Sequence, residues 1–331
     1  MGKKILISVS AVTGIIALYL IFKVIPFNEV LNTFKSANPL TLLGFLCVSF
    51  GLMAVLSWKW KVVLRSQNVI IPFKHLFAYR LIGYGVSYLT PSAKLGGEPV
   101  RAALLTRHDM KFSEALSSVV IDKTIEVASS AIFFFIGVMI VFFRFALLGQ
   151  IEVTMILFAI IFLALMVFMY QRMSSGKGFI ASFCKLLRLH KVKKWALSEK
   201  KLEEFESRII KFFQEDKKDF LLAFFACFMS WVFMFFEYKF AALILGYNLS
   251  FVAIFLIISF VGAAFIVPVP MAIGSLEASQ VAVFTMLGLK SAAGVALAFI
   301  IRIRDLLWSI TGLLLLSYYG LKISQTLKKK F

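Results

Sequence analysis

Apolar runs of about 20 residues, the length that spans a bilayer core as one α-helix, alternate along this chain with short polar or basic stretches. The pattern predicts spanning helices at 5–22, 40–63, 115–143, 151–170, 219–243 and 291–317. Lys3 and Lys4 precede the first run as in a signal peptide, but no small-residue cleavage site follows, so a retained helix is expected. Residues 26–38 mix Phe27, Val30, Leu31 and Phe34 with polar residues and predict a short helix on the membrane surface.

Two stretches break the pattern. Residues 74–108 contain YLTPSAKLGGEPVRAALL, and residues 251–288 contain FIVPVPMAIGSLEASQVAV. Each has an apolar half, a Pro/Gly break and a second short apolar half. Such halves reach part way or barely across the bilayer. Two re-entrant helical hairpins are expected, because irregular backbone at membrane depth persists only inside protein or beside a water-filled cavity. The expected fold class is an all-α polytopic membrane protein with six spanning helices plus two re-entrant helical hairpins in an inverted repeat. It forms one membrane domain over 1–331, with a first half at 1–170, a cytoplasmic linker with an amphipathic helix at 171–218, and a second half at 219–331.

Composition sharpens this picture. Hydrophobic residues make up 61% of the chain, against roughly 45–50% in soluble domains. That argues against a soluble enzyme, a disordered chain and a secreted disulfide scaffold. The net charge is +19, an excess expected along a membrane face rather than on nucleic acid. Residues 171–218 hold 13 Lys and Arg against 6 acids. With that segment and both basic termini in the cytoplasm, the outer loops (23–39, 144–150, 244–250) carry few basic residues, as the positive-inside rule requires. The 74–108 hairpin then enters from inside and the 251–288 hairpin from outside, in the cell membrane. Trp58, Trp60, Tyr318 and Tyr319 stand at helix ends where an aromatic belt is expected. Within 171–218, Leu202, Phe205, Ile209, Phe212 and Phe213 recur at helical spacing, which predicts a helix lying on the inner leaflet with Glu203 and Glu206 on its solvated face. Cys47, Cys184 and Cys227 make no disulfide framework, and His75, His108 and His190 have no metal-ligand spacing. No metal and no cofactor are expected.

Sliding the chain 179 residues against itself sets Pro91 on Pro270, Glu98 on Glu277, Lys123 on Arg302 and Glu126 on Asp305. The topology gives the copies opposite orientations, an arrangement of transporters whose site lies near the midplane. The two breaks are therefore expected to approach each other. Each break ends at a short helix, whose free N–H groups and positive dipole end favour a phosphate or carboxylate. Gly96 and Gly97, with Gly274 in the second copy, let backbone come close to such a group. Glu98 and Glu277 are acids in apolar surroundings and need partners; Lys94 and Arg101 are spaced to reach Glu98. Their readings are a proton or cation relay, a lock on the hairpin, or a structural cap. Lys123 and Glu126 share a helix face, as do Arg302 and Asp305, and Asp122 joins the first pair. Such pairs either carry an anionic headgroup past lipid tails or only glue helices. Glu237 is a weaker candidate, and Lys239 is expected to snorkel.

TPSAKLGGEPVRAALL (90–105), VVIDKTIEV (119–127) and PVPMAIGSLEA (268–278) resemble the motifs of the lysylphosphatidylglycerol synthetase transmembrane region, also called the flippase-like domain family. Ser92, Lys94 and Gly274–Ser275 depart from its usual pattern. The resemblance implies a membrane-embedded protein that handles lipids. Few residues follow the last expected span, so a stand-alone module without the synthetase activity is expected. The leading reading is a lipid translocase for a phospholipid or polyprenyl-phosphate lipid, not an enzyme. Its expected partners are membrane lipids with anionic headgroups and no nucleic acid. A non-transporting accessory protein and an intramembrane lipid-modifying enzyme using Glu98 and Glu277 as acid and base are the alternatives.

Overall fold

The computed structural model describes residues 38–90, 95–145, 150–176, 199–264 and 270–319. The expected helices at 5–22 and 26–38, together with Pro91, Lys94, Cys184 and residues 177–198, lie outside the described residues. Ten α-helices and no strand occur among the described residues. They are α1 (Pro39–Ser66), α2 (Phe73–Leu89), α3 (Glu98–Leu105), α4 (Phe112–Phe145), α5 (Gln150–Ser174), α6 (Glu199–Gln214), α7 (Lys217–Ile244), α8 (Phe251–Ala264), α9 (Ser275–Met286) and α10 (Ser291–Tyr318). Short 3₁₀ turns follow α3 at Thr106–His108 and precede α9 at Pro270–Ala272.

Helices α1, α4, α5 and α7 are long and apolar enough to cross a membrane. Helix α10 covers the sixth expected span and is 28 residues long, but Arg302, Arg304 and Asp305 stand near its middle. Both expected hairpins appear as helix–break–helix: α2 and α3 around residues 90–97, α8 and α9 around 265–274.

Local chemistry sets the helix ends. Asn38 caps α1, its Oδ1 accepting the Leu40 N–H at 2.8 Å, and Pro39 occupies the first turn, where no N–H is needed. Helix α1 closes through left-handed Asn68, with the Val69 N–H donating to the Leu64 carbonyl. Helix α7 closes the same way through Gly246, with Tyr247 donating to Ala242. These closures fall 178 residues apart. So do the starts of α1 and α7 (39 and 217) and of α2 and α8 (73 and 251); those of α4 and α10 (112 and 291) are 179 apart. The order long, short, short, long occurs twice.

The helices group into two compact units. The first gathers residues up to Ala54, Phe77–Val100 and those from Ser230 to the end of α10; the second gathers Val55–Leu76 and Arg101–Met229. In the first, α2 and α10 approach through glycine. A Cβ on Gly312 would stand 2.1 Å from the Leu81 carbonyl, and one on Gly85 2.7 Å from that of Ser309. Small residues at such crossings let helices pack where lipid supplies no hydrophobic drive.

In the second unit, Val62, Val63, Ile121, Ile125, Ile209, Phe212, Phe213 and Cys227 belong to one buried cluster. Helix α6 therefore turns its apolar face onto protein, not onto the inner leaflet as its periodicity alone suggested. Each large side chain so covered contributes about 1.5–3 kcal/mol if α6 lies in water, so packing outcompetes lying free. Glu206, expected on the solvated face, is buried; the Glu203 side chain lies outside the described residues. Trp60, expected in an aromatic belt, is also fully buried, whereas Trp58 and Tyr318 are exposed.

Candidate functional site

The first break belongs to the first unit. The Gly97 N–H donates to Ser87 Oγ at 2.8 Å, tying the end of the break back to α2. A Cβ on Gly97 would lie 1.9 Å from the Gly83 carbonyl, so only glycine fits. Gly96 is half-buried beside it. Helix α3 starts at half-buried Glu98, followed by Pro99.

The second break, also in the first unit, is closed by the same device: the Ser275 hydroxyl donates to the Ala264 carbonyl at 3.0 Å. Met271 (φ 55°) and Ala272 (φ 50°) are left-handed without being glycine. Their carbonyls accept from Arg302 Nη1 at 2.8 Å and Nη2 at 3.2 Å. Arg302 also grips Glu277 with two donors, Nε on Oε1 and Nη2 on Oε2 at 2.7 Å. The Glu277 carboxylate accepts the Gly274 N–H at 2.9 Å. Gly274 has φ +82°, a conformation that suits glycine. Glu277 thus caps α9 and holds Arg302, which clamps the strained turn. Tyr88, near the end of α2, packs with Met271 and Leu306, and Leu89 lies against them. The mouth of the first break and the second break are therefore brought together within this unit.

The second unit holds a separate charged cluster. Lys59 on α1 is fully buried and donates to Glu126 Oε1 at 2.8 Å and to the Asp122 carbonyl at 2.9 Å; its Nζ is 3.1 Å from Asp122 Oδ1. Arg101 donates to Asp122 Oδ2 at 2.7 Å and stacks over the Trp60 ring at 4.0 Å. Lys123 pairs with Glu126 at 3.2 Å across one turn of α4, as its spacing predicted. A buried ammonium between two carboxylates offsets part of a desolvation cost of several kcal/mol per ion. Arg101, spaced to reach Glu98, is thus committed to Asp122. Lys59 escaped sequence reasoning because it sits between two tryptophans at a helix end.

In the first unit, the expected Arg302–Asp305 pairing across one turn of α10 gives way to other partners. Arg302 takes Glu277, while Asp305 accepts the Tyr84 hydroxyl at Oδ1 and lies 3.0 Å from Arg304 Nε. Arg304 Nη1 lies 3.0 Å from Glu237 Oε2. Glu237, ranked low from sequence, is fully buried. It lies 178 residues after Lys59, at the same place in an equivalent helix, and bears the opposite charge. A search for matching residues passes over such a reversed pair. Lys239 reaches the loop after α7, bonding Asn248 Oδ1 and the Leu249 carbonyl. No group of three or more His, Cys, Asp or Glu suited to a metal occurs among the described residues.

The sequence profile described as the Lysylphosphatidylglycerol synthase TM region matches residues 4–313. A UPF0104 membrane protein of Methanothermobacter thermautotrophicus is 30% identical over 47% of this chain and 48% of its own length. This chain thus matches about half of that relative. UPF0104 membrane protein PH1989 of Pyrococcus horikoshii is 24% identical over 85% of this chain and 87% of its own length. UPF0104 membrane protein MJ1595 of Methanocaldococcus jannaschii is 25% identical over 42% and 41%.

Proposed function

Because this multi-pass membrane protein belongs to the Lysylphosphatidylglycerol synthase TM region family, we propose that it moves an anionic lipid between leaflets. The twofold long–short–short–long order, with a broken hairpin in each copy, carries this reading. Paired broken segments in corresponding positions are the pointer to a transporter site, and their opposed orientation makes the repeat inverted. The tails stay in the bilayer while a phosphate-bearing headgroup follows the breaks, where free N–H groups favour anions. Arg101 and Lys123 supply cationic chemistry in an otherwise apolar setting. The lipid is a phospholipid or a polyprenyl phosphate. Both termini and the 171–218 segment face the cytoplasm by the distribution of Lys and Arg.

The test reconstitutes the full chain in liposomes carrying either labelled phosphatidylglycerol or a labelled polyprenyl phosphate. An impermeant quencher added outside should remove more label than the outer leaflet holds, for one lipid class at least. Quenching that stops at the outer-leaflet share for both classes, as in protein-free liposomes, refutes translocation.

A further inference from the structure

The first unit contains a second polar cluster that the lipid path does not use. Glu237 and Tyr238 on α7, Gln280 on α9, Arg304 and Asp305 on α10 and Tyr84 on α2 meet inside it. All but Tyr84 are at least nine-tenths buried. Two carboxylates share one guanidinium: Arg304 Nη1 lies 3.0 Å from Glu237 and Nε 3.0 Å from Asp305. Tyr84 donates to Asp305 Oδ1, while Asp305 Oδ2 has no hydrogen-bond partner. Gln280 is wholly buried beside the Tyr238 ring, and neither of its amide atoms has a hydrogen-bond partner.

The surrounding elements do not neutralise the second carboxylate. Arg302 is taken by Glu277 and the break carbonyls. Tyr88 adds only a neutral hydroxyl. Arg80 lies a turn before Tyr84, toward the end of α2 that packs on Gly312 and Tyr319, away from Asp305. Helix α8 has no ionisable residue, and α1 brings α10 only the Ser49 hydroxyl, which accepts from Trp308. One negative charge is thus left over in a water-poor interior, where an unpaired buried charge is strongly disfavoured. Two carboxylates on one small site resolve this by keeping a proton between them. That proton also gives Asp305 Oδ2 or Glu237 a donor, for which the idle Gln280 carbonyl is an acceptor. A metal cation is disfavoured by the guanidinium touching both acids.

We propose that Glu237 and Asp305 hold one exchangeable proton between them, and that its release and uptake couple lipid movement to a proton gradient. The coupling rests on the translocase reading; the proton site does not. One carboxylate binds H⁺ to become a carboxylic acid, and no other bond changes.

Infrared spectra of the full chain in liposomes at pH 7 test the site. A protonated-carboxyl C=O band should appear, shift in D₂O, and vanish in both Glu237→Gln and Asp305→Asn, since either variant leaves one acid for one Arg304. Tyr84→Phe, which keeps the ring, should move the band without abolishing it, and serves if a carboxylate variant fails to accumulate. Absence of the band, its persistence in both carboxylate variants, its loss in only one, or an unmoved band in Tyr84→Phe each overturns the shared proton. Thermal stability rising with sodium at fixed ionic strength, with no band, overturns it in favour of a metal cation. Coupling is tested in the labelled-lipid liposomes: wild-type transfer should change several-fold on imposing a pH gradient, and Glu237→Gln transfer should not. Transfer indifferent to the gradient refutes coupling alone. A band that titrates in a protein that moves no lipid refutes the translocase reading while the proton site stands.

Discussion

Replacing Glu277 by Gln tests whether the second break is held by a charge or only capped. The side-chain shape is kept, and the amide oxygen can still accept the Gly274 N–H. What is lost is the counter-ion of Arg302, which is 2% exposed. Breaking a buried ion pair costs about 3–5 kcal/mol, because the remaining charge is left uncompensated. The same guanidinium clamps Met271 and Ala272, whose left-handed backbones cost about 1–3 kcal/mol each. The pair and the strain are of one magnitude, so the break should open when the pair goes. Stability of the full chain, read from its unfolding curve in mixed detergent, should fall by about 3 kcal/mol or more, roughly a hundredfold in the equilibrium constant. Lipid transfer should fall with it. A double-mutant cycle supplies the control: Glu277→Gln with Arg302→Met should cost little more than either alone. A Glu277→Gln protein within about 1 kcal/mol of wild type, or strictly additive costs, refutes the lock.

Lys59→Met should destabilise the second unit by about 3–5 kcal/mol, measured the same way, whereas Lys123→Met at the partly exposed edge should cost under about 1 kcal/mol. Gly97→Ala should block accumulation of folded protein, because its Cβ meets rigid Gly83 backbone; normal yield and melting would refute the close approach. Burial, with His75 and Arg107 beside it, lowers the His108 pKa in the loop after α3. The unfolded chain then takes this proton first as pH falls, so stability declines below the ordinary His value until folded His108 is itself protonated. The melting temperature of His108→Gln should therefore fall less between pH 7 and pH 5 than that of wild type. An impermeant thiol reagent on intact cells should leave Cys184 unlabelled; labelling from outside reverses the orientation.

Helix positions were legible in the sequence because an apolar run and its Gly or Asn terminator are local signals. The spans at 40–63, 115–143, 151–170 and 219–243 each fall within an observed helix, and Pro99 at the head of α3 marked a true start. Partners were less legible, because they depend on which faces meet. The spacing of Arg302 and Asp305 suggested a pair, yet Glu277 and the break carbonyls lie closer to Arg302 in space. Trp60 looked interfacial beside two lysines, and only packing shows its ring under Arg101. The amphipathic pattern of α6 identified its apolar face correctly but could not say whether lipid or protein covers it.

The charge reversal between Lys59 and Glu237 bears on how such a chain assembles. A duplicated sequence inserts two near-equivalent sets of helices, and equivalent helices compete for the same neighbours. Were α1 to dock where α7 belongs, Lys59 would be offered to Arg304; in the converse error, Glu237 would meet Asp122 and Glu126. Both mistakes bring like charges together in a medium that does not screen them, while the correct choices pair opposites. One residue per copy thus gives each long helix an address, so two halves descended from one template can sort themselves after insertion without exchanging partners.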